Sequence, residues 1–200
     1  MLIRTSVRSV LTGFAIVMAT SLPAAAHVGH GGTESFVHGF AHPMGGIDHM
    51  LAMVSVGILA AVIGGRFNWI LPAAFLSMMS FGAALAMAGM NLPFIELGIS
   101  LSVVVLGLAV ALQLPLPMIW TTAIVGFLAV FHGFAHGSEM PVDASGLSYG
   151  SGFLLATALL HLAGLAIGFV AGRWASSAHT VSRVAGGAIA IAGFVLTAGA

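Results

Sequence analysis

The stretch His38–Gly57 reads HGFAHPMGGIDHMLAMVSVG. It opens with histidines, a proline and paired glycines, and closes as an apolar run that meets no further charge until Arg66. A run of that kind after a Pro/Gly break predicts a buried or membrane helix entered through bent backbone. Its first five residues, HGFAH, occur again at His132–His136 and lead there into GSEMP. Seven of the nine histidines lie in or upstream of these two stretches. Polar chemistry is therefore concentrated at two places in a chain that has very little of it.

Composition sets the class. The 200 residues are 60% hydrophobic and 5% charged, with a mean hydropathy of +1.14, whereas soluble domains carry about 25% charged residues. There is no lysine, and the arginines are Arg4, Arg8, Arg66, Arg173 and Arg183. Zero cysteines exclude disulfides, thiolate zinc sites and Fe–S clusters. The formal net charge is zero and no basic patch suggests nucleic acid. An all-α, polytopic membrane protein is the class that fits, with the lipid bilayer as its surroundings. A homo-oligomer is an arrangement the sequence allows but does not specify.

Residues 1–26 have the layout of a signal peptide: a basic MLIRTSVR, a short apolar LTGFAIVMATSL, and a small-residue PAAA end. The apolar part is shorter than the roughly 20 residues that span a bilayer, so cleavage after Ala26 is expected, with an uncleaved anchor helix as the alternative. Residues 27–46 then form an outer histidine-rich segment. Residues 47–200 form a six-span bundle, with helices expected over 47–64, 69–89, 94–113, 117–135, 148–171 and 182–199. A cleaved signal peptide puts the mature N-terminus outside. Arg66, Arg173 and Arg183 then fall inside, as the positive-inside bias requires, and Glu34, Asp48, Glu96, Glu139 and Asp143 fall at the outer ends. For a bacterial protein this places the chain in the inner membrane.

Small residues mark helix contacts. Gly164, Gly168 and Gly172 recur at four-residue spacing, with Gly146 and Gly150 before them, which predicts a close-packed seam. Met50, Met53, Met78, Met79, Met87 and Met90 fit adaptable apolar filler better than soft-metal ligands.

Both HGFAH copies fall on the outer side in this topology. In helical geometry His132, His136 and Glu139 stand at i, i+4 and i+7 on one face. His42, Asp48 and His49 form a second nitrogen–oxygen set beside backbone that Pro43, Gly45 and Gly46 bend. Bent backbone at a helix terminus is where transporters place ion sites, and ionisable groups in membrane segments are functional candidates by default. Taken alone, Asp48 is equally explained as an acid favoured at a helix N-terminus. Taken together, neutral imidazole and carboxylate without thiol are the ligands of Ni²⁺, Co²⁺ and Zn²⁺. His38 stands at the mouth. His27 and His30 would capture metal at the free N-terminus, or form only a solvated tail. His161, midway along the fifth span, is either a deeper relay ligand or an interhelical hydrogen-bond partner.

The opening stretch closely resembles the signature at the first membrane helix of the HupE/UreJ family of bacterial nickel and cobalt permeases. That pattern, roughly HPxxGxDHxxAMxxVG, is met at His42, Pro43, Gly46, Asp48, His49, Ala52, Met53, Val56 and Gly57. FHGFAHGSEMP resembles the family's HGxAHGxExP element. The resemblance implies secondary uptake of Ni²⁺, or Co²⁺ in some members, often to supply hydrogenase or urease. It implies metal ligation by His42, Asp48 and His49, with His132, His136 and Glu139 as their partners. The ion is substrate, and no resident cofactor is implied.

No GxxxxGK[ST] phosphate loop is present, so the chain does not itself hydrolyse ATP. Two rival classes fit less well. A haem-bearing electron carrier needs histidines on facing helices at matched depth, and the sequence places only His161 clearly mid-membrane. An intramembrane metalloenzyme lacks HExxH and any evident serine–histidine arrangement. A non-enzymatic permease is the expectation.

Overall fold

The structure is a computed structural model that describes residues 32–141, 144–173 and 178–199. The signal-peptide reading, His27, His30 and Asp143 lie outside the described residues. Among those described, the elements are helical: α1 Gly32–Ala41, a 3₁₀ turn His42–Met44, α2 Ile47–Ile63, α3 Phe67–Met87, α4 Ile95–Leu112, α5 Met118–Ser138, α6 Gly146–Arg173 and α7 Ala178–Gly199. In hydrocarbon a helix satisfies its own backbone hydrogen bonds, which is why apolar sequence of this length takes that form.

Helices α2–α7 fall at the six places where spans are expected, and their ends follow local chemistry. Gly64 and Gly65 adopt φ +79° and +59°, turning the chain between α2 and α3, and Gly89 at φ +75° follows the end of α3. Pro117 stands immediately before α5, where a missing N–H costs nothing. The departure from expectation is α1. This short helix carries the first HGFAH up to Ala41, and the chain then bends by 80° into α2. Pro43 is the second residue of the 3₁₀ turn, and extended Gly46 (φ −108°, ψ 124°) caps the start of α2.

Among the described residues, five helices are long and apolar enough to cross a membrane, and a sixth if the bent α1–α2 pair is counted as one span. Their outer surface carries Trp69, Phe127, Ile191, Phe194 and Val195, all exposed. Such a continuous apolar exterior belongs against lipid. The protein is therefore a multi-pass membrane protein.

The bundle is assembled from close helix pairs. In the α3–α5 pair, a Cβ on Gly133 would strike the Met79 carbonyl, and one on Gly82 the Val130 carbonyl. In the α2–α6 pair, a Cβ on Gly57 would strike the His161 carbonyl, and one on Gly164 the Val54 carbonyl. Helix backbones touch at these points, as small residues permit. The expected Gly164 seam is present and includes Gly168 against Ala61, but Gly150 and Gly172 face open space. α1 lies on α6, and α4 packs on α7. Phe75, Met53, Leu71 and Met79 fill the centre, together with His132 and His161. Of the methionines, Met50, Met53 and Met79 are core residues, whereas Met87 and Met90 are exposed.

Candidate metal site

The 80° bend brings the end of α1, the 3₁₀ turn and the start of α2 over the C-terminal end of α5. A cavity of about 370 Å³ opens there. Its lining includes His38, His42, Asp48, His49, Glu96, His136 and Glu139. Both HGFAH copies and three of the acids thus share one chamber.

Space groups these residues differently from chain order. His42 and Glu139, on opposite sides of the mouth, meet with Nε2 and Oε2 2.9 Å apart. With His136 they form a group whose ligand atoms all lie within 4.8 Å of one another. His42 and Glu139 are partly open to the mouth, while His136 is buried at 3% exposure. One carboxylate and two imidazoles at this spacing can close on a divalent ion.

Asp48 and His49 form a second unit. The Asp48 Oδ1 accepts the backbone N–H of His49 at 2.7 Å and faces its Nδ1 at 2.8 Å. A carboxylate holding one ring nitrogen directs the other outward, the usual support for a metal-binding imidazole. The His49 ring then meets His136 and His132, with ring centres 4.3 and 4.8 Å away. His49 Nε2, His132 Nδ1 and both nitrogens of His136 are buried without a hydrogen-bond partner in the protein. Burying so many unpaired polar atoms is costly, and ligand-seeking nitrogens are one reason a protein retains them.

His161 is also buried with neither nitrogen partnered, yet it stands apart from this cluster. Phe75 lies between, its ring 5.7 Å from that of His132 and 5.1 Å from that of His161. His38 is exposed and lines the cavity.

Comparison with known proteins bears on this arrangement. The family model described as HupE / UreJ protein matches residues 15–196. The chain belongs to the HupE/UreJ family. It is also 42% identical over 183 residues to Protein HupE of Rhizobium leguminosarum bv. viciae, covering 90% of this chain and 94% of that one. No solved structure matches. HupE/UreJ is a membrane accessory and transport family rather than an enzyme family. Within the HupE/UreJ match lie all the cavity-lining residues named above.

The structure adds residues that sequence reading left aside. Glu96, read only as an outer acid, lines the cavity. Tyr149 packs edge-on against His42, with ring centres 5.9 Å apart. Ser102 contacts His132 from α4. An acid at an outer helix end was a usable signal for Glu96. A serine in an apolar helix, which commonly bonds its own backbone, was none for Ser102.

Proposed function

We propose that this protein is a secondary permease for a divalent transition-metal ion, Ni²⁺ foremost with Co²⁺ as the alternative. In this reading it works in the bacterial inner membrane, with the mature N-terminus outside after removal of residues 1–26. The observation that carries the proposal is the group formed by His42, His136 and Glu139 at the mouth of a chamber. A hydrated ion cannot enter hydrocarbon, so the protein must replace its water with ligands. Glu139, Glu96 and Asp48 supply negative charge at the entrance. His38, with His27 and His30 ahead of it, would hand the ion to His42, His136 and Glu139. The imidazoles of His49 and His132 come next, and His161 lies beyond Phe75.

Several incomplete stations suit passage better than one closed cage, because conduction needs binding weak enough to leave. His136 is placed to serve two stations, since both its nitrogens are unpartnered and its ring touches both His42 and His49. Arg66 and Arg183, which flank the inner ends of spans in this orientation, accord with the positive-inside bias. Delivery to hydrogenase or urease is the destination that the sequence resemblance implies. The haem alternative loses support from packing, because the imidazoles stand in edge contact and Phe75 fills the gap before His161.

The test is uptake of ⁶³Ni and ⁵⁷Co by cells or vesicles, comparing wild type with His42→Ala, Asp48→Asn and Glu139→Gln. Loss in these variants is expected. Unchanged uptake in all three rejects the site.

A further inference from the structure

We propose that Ser102 fixes the His132 tautomer, so that Nδ1 of His132 is left as a bare donor atom beside His49 on the inner part of the ion's path. This rests on the permease reading above and concerns how that pathway selects its ion.

The supply of protons at Ser102 decides the direction of each contact. Ser102, fully buried on α4, has its Oγ 2.6 Å from the Ile99 carbonyl and 2.7 Å from Nε2 of His132. A serine hydroxyl has one proton to donate, and a carbonyl oxygen can only accept. For both contacts to be hydrogen bonds, the serine proton goes to Ile99 and the imidazole donates from Nε2. Neutral imidazole carries its proton on one nitrogen. Nδ1 of His132 is then a bare lone pair, and it is buried without a partner on the ring that abuts His49. The same logic applies across the cluster. The Asp48 carboxylate can only accept, so the His49 proton sits on Nδ1, and Nε2 is the bare, buried atom.

Two different supports, a serine on α4 and an aspartate on α2, thus leave one lone pair on each of two adjoining rings. The third ring, His136, is held by neither device and has both nitrogens unpartnered. The outer group with Glu139 contains a carboxylate, a ligand that hard cations such as Mg²⁺ and Ca²⁺ also accept. Imidazole suits Ni²⁺, Co²⁺ and Zn²⁺ and serves Mg²⁺ and Ca²⁺ poorly. Inward of that carboxylate the ion meets the imidazoles of His49 and His132, which disfavour hard ions, and Ser102 is the positioning residue of His132.

The test uses the full chain in lipid bilayers with ring-¹⁵N histidine, His132 being assigned through its backbone by solid-state correlation spectra. The metal-free wild type is expected to show His132 protonated at Nε2 and bare at Nδ1. Protonation at Nδ1 overturns the proposal without the need for any variant. Ser102→Ala should give a mixed or inverted tautomer, and an unchanged Nε2–H signature overturns the proposal. In ⁶³Ni uptake, Ser102→Ala should raise KM by about 10- to 100-fold, as loss of a ligand's supporting partner typically does, with Vmax retained. Ser102→Thr, which keeps the hydroxyl, should restore KM. A fall in Vmax at unchanged KM overturns the proposal. If the tautomer is wrong while His42→Ala and Glu139→Gln still abolish uptake, the lock fails and the permease reading stands. If those two variants transport normally, the permease reading itself fails.

Discussion

Nε2 of His42 lies 2.9 Å from Oε2 of Glu139, although 97 positions separate the two residues in the chain. The contact joins the first HGFAH copy to the acid that follows the second. It is the point at which two sequence motifs become one structure.

Removing either partner should therefore damage the same function. Glu139→Gln keeps the volume and deletes the charge, and His42→Ala deletes the nitrogen. Each is expected to lower ⁶³Ni uptake by at least about tenfold, the smaller end of what losing even a supporting partner costs. The double variant should be little worse than the worse single one, because residues of one cluster do not add. Additive losses in the double variant would show that the two act separately.

Acid should inhibit transport. Protons and metal compete for the same imidazole lone pairs, so binding needs the neutral ring. Uptake is therefore expected to fall progressively as the medium is acidified. Initial rates in vesicles from pH 7.5 down to about 5, with the pH held equal on both sides, measure this. A flat profile would show that protons do not compete with the ion for its ligands in this range.

His161 separates capture from passage. His161→Leu keeps an apolar volume behind Phe75 and removes both nitrogens. The expected outcome is a rate of transport lowered several-fold, with equilibrium Ni²⁺ binding by the purified protein unchanged, since His42, His136 and Glu139 are untouched. Weakened equilibrium binding would place His161 in the outer group instead.

Gly133 tests the packing that positions the site. Gly133→Ala would drive a Cβ into the Met79 carbonyl on α3, whereas Gly150→Ala would meet nothing within 4 Å. Overpacking of this kind costs about 1–3 kcal/mol or more. A lower melting temperature and a reduced folded yield in size-exclusion profiles are expected for Gly133→Ala, with little change for Gly150→Ala. Equal stability of the two variants would refute the tight α3–α5 contact.

The spans were legible because each is an apolar run punctuated by Gly or Pro, and Gly64–Gly65 and Pro117 stand where the helices begin or end. The candidate residues of the two motifs were legible from residue type. Their grouping was not. Chain order sets His42 beside Asp48 and His49, whereas the 80° bend swings His42 towards Glu139 and leaves His49 facing His132 and His136. That bend depends on α1, a helix too short to be stable alone. It is held by backbone contact with α6, where Gly39 meets Tyr149 and Gly152 meets Phe36. Sequence periodicity carries no signal for such a contact. The depth of His161 was legible, but the ring of Phe75 standing in front of it was not.

The glycine-mediated pairing of helices has a mechanical corollary. α1, the 3₁₀ turn, α2 and α6 carry His38, His42, Asp48, His49 and His161, whereas α3, α5 and the residue capping α5 supply Phe75, His132, His136 and Glu139. Within each unit, carbonyls against glycines leave no slack for sliding. The candidate ligands are therefore shared between two closely packed helix groups rather than carried by one. In the proposed permease, a cation gripped by His42, His136 and Glu139 would fasten one unit to the other, and its departure would unfasten them. Cargo and clasp would then be the same particle.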